Sequence, residues 1–158
     1  MKRKLFVFLF IVLICSCKRT ISYYEIPIVN QVLAIYTPTF SDYAYVYIDA
    51  HQLNTIKDSI DFKLYRDETT EVSLIFSKQK NDTIFYSDRW DDVVSITKAK
   101  KYKKIRWHDS RFYIKNEKTN KYYINQNYIE VVIKANATFV VYQLNNSYRI
   151  LEPISSLE

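Results

Sequence analysis

Apolar and polar residues alternate along most of the chain with the period of two that marks strands. In Tyr43-Ala44-Tyr45-Val46-Tyr47-Ile48-Asp49, three tyrosines fall on one face and Ala44, Val46 and Ile48 on the other. Ile60, Phe62 and Leu64 share a face between Asp61, Lys63 and Tyr65. Three hairpins follow. Residues 72–77 and 83–87 flank Lys78-Gln79-Lys80-Asn81-Asp82, and residues 111–115 and 121–125 flank Asn116-Glu117-Lys118-Thr119-Asn120. Residues 138–144 and 147–151 flank Asn145-Asn146, a two-residue loop suited to a type I′ turn. A strand at 129–134 is expected to pair with 138–144 across Ala135-Asn136-Ala137. One helix is expected from Asp88, with Asp91 three residues on and Trp90, Val93, Val94 and Thr97 on one stripe. Leu53 and Ile56 suggest a shorter helical turn after Asp49. The pattern predicts an all-β or β-dominated domain, a single antiparallel sandwich or partly open barrel with at most one substantial helix.

Glycine is absent from all 158 residues, where average usage of about 7% would place about eleven. Phosphate-cradling loops, dinucleotide fingerprints, nucleophile elbows and EF-hand loops all need glycine and are therefore excluded. The lipocalin entry motif, which pairs glycine with tryptophan, is missing too. Turns must be built with Asn, Asp, Ser or Pro, and Asn and Asp are expected to occupy left-handed positions.

The N-terminus departs from the strand pattern. Lys2, Arg3 and Lys4 precede an unbroken apolar run of ten residues, 5–14, and then Cys15-Ser16-Cys17. Crossing a ~30 Å hydrocarbon core takes about 20 apolar residues, so this run is the length of an export signal, not of a membrane span. Ile14-Cys15-Ser16-Cys17 resembles the lipobox of bacterial lipoproteins, an aliphatic residue and two small ones before the modified cysteine. Ile14 is too bulky for the position before the cut if Cys15 were the modified residue. The resemblance covers the first 17 residues. It implies removal of 1–16 as signal peptide, a diacylglycerol thioether on Cys17, and usually a further acyl chain (palmitate, for example) on its amine. Chains of that kind, at about 0.8 kcal/mol per buried methylene, anchor stably when two or more are present. Residues 17–26 then read as a lipidated tether and 27–158 as a single β-rich domain.

The lipoprotein resemblance has further implications. Cys15 leaves with the signal and Cys17 becomes a thioether, so the mature chain has no thiol for a disulfide, a zinc site or a nucleophile. Lys18 stands where enterobacterial sorting places Asp for retention in the inner membrane, which implies the outer membrane. Surface-exposed lipoproteins of the Bacteroidetes type carry an acidic patch after the cysteine. Lys18-Arg19-Thr20-Ile21-Ser22 has none, which implies the periplasmic face. Asp58-Ser59-Ile60 and Asp82-Thr83-Ile84 resemble the O-glycan acceptor sites of such bacteria, with Ser59 and Thr83 as acceptors and Thr83 exposed beside a turn. Lys and Arg number 23 against 17 Asp and Glu, and three of the cations lie in the leader, so the mature chain is only mildly basic.

Candidate chemistry is sparse. His108-Asp109-Ser110 holds the residue types of a hydrolytic triad, but neighbours along an extended chain point apart, and a polar turn accounts for them. Asp49-x-His51 offers two metal ligands with no third in register, and neither a metal nor a cofactor is expected. Asp88, Asp91 and Asp92 read as acids at a helix start. Lys98, Lys100, Lys101, Lys103, Lys104 and Arg106, beside Tyr102 and Trp107, form a basic run. Export argues against nucleic acid, and leaves anionic headgroups or acidic glycans as its targets. Tyr43, Tyr45 and Tyr47, with Tyr122 and Tyr123, offer aromatic faces for sugars or a protein. The leading expectation is a non-enzymatic envelope lipoprotein, binding a protein or glycan through its sheet face. The alternatives are a periplasmic enzyme that uses His108 or His51 with carboxylates brought together by the fold, and a passive assembly protein.

Overall fold

The computed structural model describes residues 20–48, 60–79, 83–97, 101–134, 139–144 and 147–154. Thirteen strands form among them, and no helix does. The first sheet has the order β1 (Thr20–Ile26), β2 (Gln31–Thr37), β3 (Tyr43–Ile48), β4 (Phe62–Tyr65), β7 (Val93–Ile96), all antiparallel. The second has the order β13 (Ser147–Ile150), β12 (Phe139–Leu144), β11 (Tyr128–Lys134), β5 (Glu71–Ser77), β6 (Ile84–Asp88), β8 (Tyr102–Lys104). Its pairs are antiparallel except β6 with β8, because the chain crosses to the first sheet as β7 and returns. β9 (Tyr113–Asn116) and β10 (Lys121–Ile124) make a separate hairpin.

The two sheets pack face to face as a sandwich. Leu33, Ile35, Ala44, Val46, Phe62 and Leu64 of the first meet Val72, Leu74, Phe76, Ile129, Val131 and Ile133 of the second in one buried cluster. Alternation delivers those residues, since every second side chain of a strand faces the same way. β5 and β11 are nonetheless buried on both faces. Their outward residue Ile75 packs with Ile105, Phe112, Tyr113 and Ile124, so the segment around β9 and β10 forms a third layer over the second sheet.

Four expectations need correction. Residues 88–97 are a turn and strand β7, not a helix, because the β-branched Val93, Val94, Ile96 and Thr97 favour an extended chain and pair with β4. Thr20–Ile26, expected to belong to a tether, is strand β1 of the first sheet. It pairs with β2 and buries Tyr24 and Ile26. Ile60 does not share the face of Phe62 and Leu64; it joins Ala34, Tyr36 and Tyr47 on the outside of the first sheet. Asp61 takes the inward position, where it accepts the Ile48 N–H at 2.8 Å and the Tyr102 hydroxyl at 2.6 Å, linking the sheets. The fourth is Thr83, which is partly buried instead of exposed. The helical turn suggested near Leu53 and Ile56 lies outside the described residues, as do Ser59, Asn145 and Asn146.

The absence of glycine is legible in the backbone. Asn30, Asp91 and Asn120 take left-handed positions, as expected of their short polar side chains, and so do His108 and Ile28. Ile28, at φ 76°, is the costly one. A left-handed residue with a β-carbon gives up about 1–2 kcal/mol.

Candidate functional site

An open cleft of about 720 Å³ lies where β6 and β8 end and the chain turns toward β9. Asp88, Asp91 and Lys104 line one side; Arg106, Trp107, Asp109 and Arg111 line the other, with Ile105 between them. Parallel pairing sets Tyr86 beside Lys104, so the end of β8 comes alongside the end of β6. The Lys104 ammonium there meets Asp88 at 2.8 Å and Asp91 at 3.0 Å. The hydrogen bonds that Lys104 donates to these two carboxylates raise its pKa and keep it charged. The opposite side is a tight turn in which the Phe112 and Tyr113 N–H groups donate to the Asp109 carbonyl. The Arg111 guanidinium grips Asp109 in a two-point fork, Nε at 2.9 Å and Nη2 at 2.7 Å. That fork holds the Asp109 carboxyl down at about 2. Arg106 is exposed; its carbonyl accepts the Asp109 N–H, and among the described residues its guanidinium makes no hydrogen bond or ion pair. Trp107 is half-buried, with its ring 5.3 Å from that of His108.

A buried polar centre lies beside the cleft, under the third layer. Glu130 is 4% exposed, and its Oε1 accepts from both the Ser73 and the Tyr113 hydroxyls. Burial raises the Glu130 pKa, with those two hydroxyls opposing it, and burial together with the Glu130 charge pushes Tyr113 up. Gln143 on β12 accepts the Ile124 N–H at 2.9 Å and so pins the hairpin to the sheet. His108 stacks on Tyr122 at 4.2 Å and meets the edge of Tyr113 at 5.2 Å. Burial lowers the His108 pKa, which leaves the imidazole neutral near pH 7. This centre fastens the third layer down. Its carboxylate is closed off by hydroxyls and is not among the cleft-lining residues.

The candidates from sequence are thus divided. Lys104 and Trp107 reach the cleft, whereas Lys103 is exposed on β8 and Lys101 sits 6.0 Å from the Tyr102 ring. Lys98, Lys100, Asp49 and His51 lie outside the described residues. The tyrosine face is largely packed against itself. Tyr45 stacks on Tyr36 at 6.0 Å, the Lys63 ammonium caps Tyr43 at 3.8 Å, and Tyr47 is 1% exposed. Burial pushes the Tyr47 phenol up to about 12. Asp88 and Asp91 hold a lysine and frame a turn in place of starting a helix. No group of three or more His, Cys, Asp or Glu is gathered for a metal among the described residues. Sequence reasoning missed two features. The Asp109–Arg111 fork has its signal in the Asp-x-Arg spacing of a turn, and the buried carboxylate in the lone acid of Ile129-Glu130-Val131-Val132-Ile133. Comparison with protein-family models, with curated proteins and with solved structures finds no match to this chain.

Proposed function

We propose that the chain is an envelope lipoprotein, anchored by acyl chains on Cys17 at the periplasmic face of the outer membrane, whose sandwich binds a glycan without catalysing a reaction. The observation that carries the binding reading is the meeting of Trp107, the exposed Arg106 and the Asp109–Arg111 fork in one open cleft. An indole supplies an apolar platform for the C–H face of a sugar ring. Carboxylates and guanidinium groups held in fixed geometry suit pairs of neighbouring hydroxyls, because each presents two hydrogen-bonding atoms side by side. Arg106, exposed and with no ion pair to its guanidinium among the described residues, adds a preference for glycans that carry a carboxylate or phosphate. Lys104, neutralised by two aspartates, adds little to that preference.

Titration of the mature protein with envelope oligosaccharides, both neutral and acidic, tests the reading. Binding should perturb Trp107 fluorescence and favour the acidic sugars. Trp107→Ala should weaken affinity by about tenfold or more, the loss expected when a central aromatic anchor is removed. Equal affinity in Trp107→Ala and wild type would reject the cleft as the site.

One observation favours an enzyme instead. The neutral His108 is a competent base, and it lies among Tyr113, Tyr122 and Trp107. The absence of a carboxylate hydrogen-bonded to His108 among the described residues weighs against that reading, since a general base needs an orienting partner.

A further inference from the structure

One end of the sandwich carries two exposed aromatic rings. β1 begins there, with Thr20 paired to Thr37 at the end of β2. The turn after β2 presents Phe40, which is 90% exposed, and the turn after β6 presents Trp90, which is 64% exposed. Strand register places both turns at this end, since Tyr43 pairs with Tyr65, Leu64 with Val93, and Val72 with Asp88.

Both tips are braced. Arg66 donates from Nη1 to the Pro38 and Ser41 carbonyls at 2.9 and 3.0 Å, closing the turn around Phe40. Asp92 accepts the Tyr65 N–H through its carbonyl and the Glu71 N–H through its carboxylate, and Asp88 accepts the Val93 N–H, fixing the turn around Trp90. Two large rings are thus held outward on well-bonded turns, presenting apolar surface at one end of the sandwich.

We infer that this end of the sandwich seats on a phospholipid bilayer, with Phe40 and Trp90 in the interfacial layer. The inference rests on the proposed acylation of Cys17. Only Lys18 and Arg19 separate Cys17 from Thr20, so β1 begins at most about 10 Å from the lipid anchor. Tryptophan and other aromatic rings favour the headgroup region, where one side is apolar and the other wet. Insertion need not be strong, because the acyl chains already hold the domain at high local concentration. Asp42, Glu68 and Asp91 are exposed at the same end, and the exposed Arg89 there lies 5.6 Å over the Trp90 ring and 3.8 Å from Glu71, so the contact is apolar wedging and not attraction to anionic lipid. Asp91 also lines the cleft, and this seating therefore sets the cleft at the height of the headgroups.

The test uses a Trp107→Phe chain, in which Trp90 is the remaining tryptophan, coupled through Cys17 by maleimide to a lipid in phosphatidylethanolamine/phosphatidylglycerol vesicles. This coupling anchors the protein whether or not cells acylate it, and the mass of protein purified from cells reads acylation separately. On vesicles, Trp90 should shift to the blue, lose quenching by aqueous iodide and gain quenching by lipids brominated near the headgroup. Phe40→Ser should reduce the brominated-lipid quenching, and iodide quenching in free protein should match the parent chain if the fold is intact. Full iodide quenching on vesicles would overturn the inference even if the mass shows acylated Cys17. Shielding of Trp90 in native envelopes but not on vesicles would assign the tip to a protein partner and overturn it equally.

Discussion

Replacing Cys17 with alanine is expected to leave an uncut precursor that takes up no fatty-acid analogue, whereas Cys15→Ala should be cut and labelled as usual. The contrast follows from the thioether chemistry that the lipobox resemblance implies. Only the cysteine at the cut can carry the diacylglycerol, and the bulky Ile14 denies that role to Cys15. The effect is all or none, because without acyl chains nothing of the proposed anchor remains. Labelling in growing cells followed by a mobility shift reads both steps at once. Labelling of Cys17→Ala at the wild-type level would remove the anchor from the account.

The second large effect concerns Glu130. Glu130→Ala should cost about 3 kcal/mol, because it leaves the Ser73 and Tyr113 hydroxyls without their acceptor and opens a void under the third layer. Glu130→Gln keeps the volume and a carbonyl acceptor, so its effect is chiefly on pH dependence. Burial raises the Glu130 pKa in the folded chain, so the folded protein keeps a proton that the unfolded one has lost. Stability from this group is therefore full below the ordinary glutamate range and declines as pH rises through the folded value. His108, lowered by burial, acts in the opposite sense, its contribution falling as pH drops through the ordinary histidine range. Asp92 is raised like Glu130 and is common to both proteins. The difference between wild type and Glu130→Gln thus isolates Glu130. Urea midpoints measured from pH 4.5 to 8 should fall more in wild type than in Glu130→Gln. Parallel curves would mean that Glu130 is not held as described.

Local alternation made much of the sandwich readable. The 43–48 strand and the pairings of β5 with β6, β9 with β10, and β12 with β13 follow from period-two runs broken by Asn, Asp and Lys. Where two local signals competed, the reading failed. Asp88 and Asp91 look like a capped helix start, and only the pairing of Leu64 with Val93 decides for a strand. Ile60 and Asp61 exchanged roles because the Ile48 N–H and the Tyr102 hydroxyl, 13 and 41 residues away, gave the carboxylate a buried home. β1 was hidden by its neighbours Lys18 and Arg19, which read as a solvated tether.

The site was legible in part for the same reason. Lys104, Arg106 and Trp107 stand out in a short basic and aromatic run, but the two aspartates that neutralise Lys104 come from another strand and its turn. Glu130 gave no hint of its partners, since Ser73 and Tyr113 reach it across 57 and 17 residues. Such contacts depend on long-range register, which periodicity does not encode.

Complementation of a deletion strain by two double variants tests the central claim most directly, with protein level and lipidation measured in the same cells. If the cleft binds and nothing is catalysed, Arg106→Ala with Trp107→Ala should lose function while His51→Gln with His108→Gln retains it. A general base or metal ligand, by contrast, is worth orders of magnitude in rate, so an enzyme would fail with its histidines replaced. A dead but abundant and lipidated histidine variant beside a working cleft variant would contradict the account.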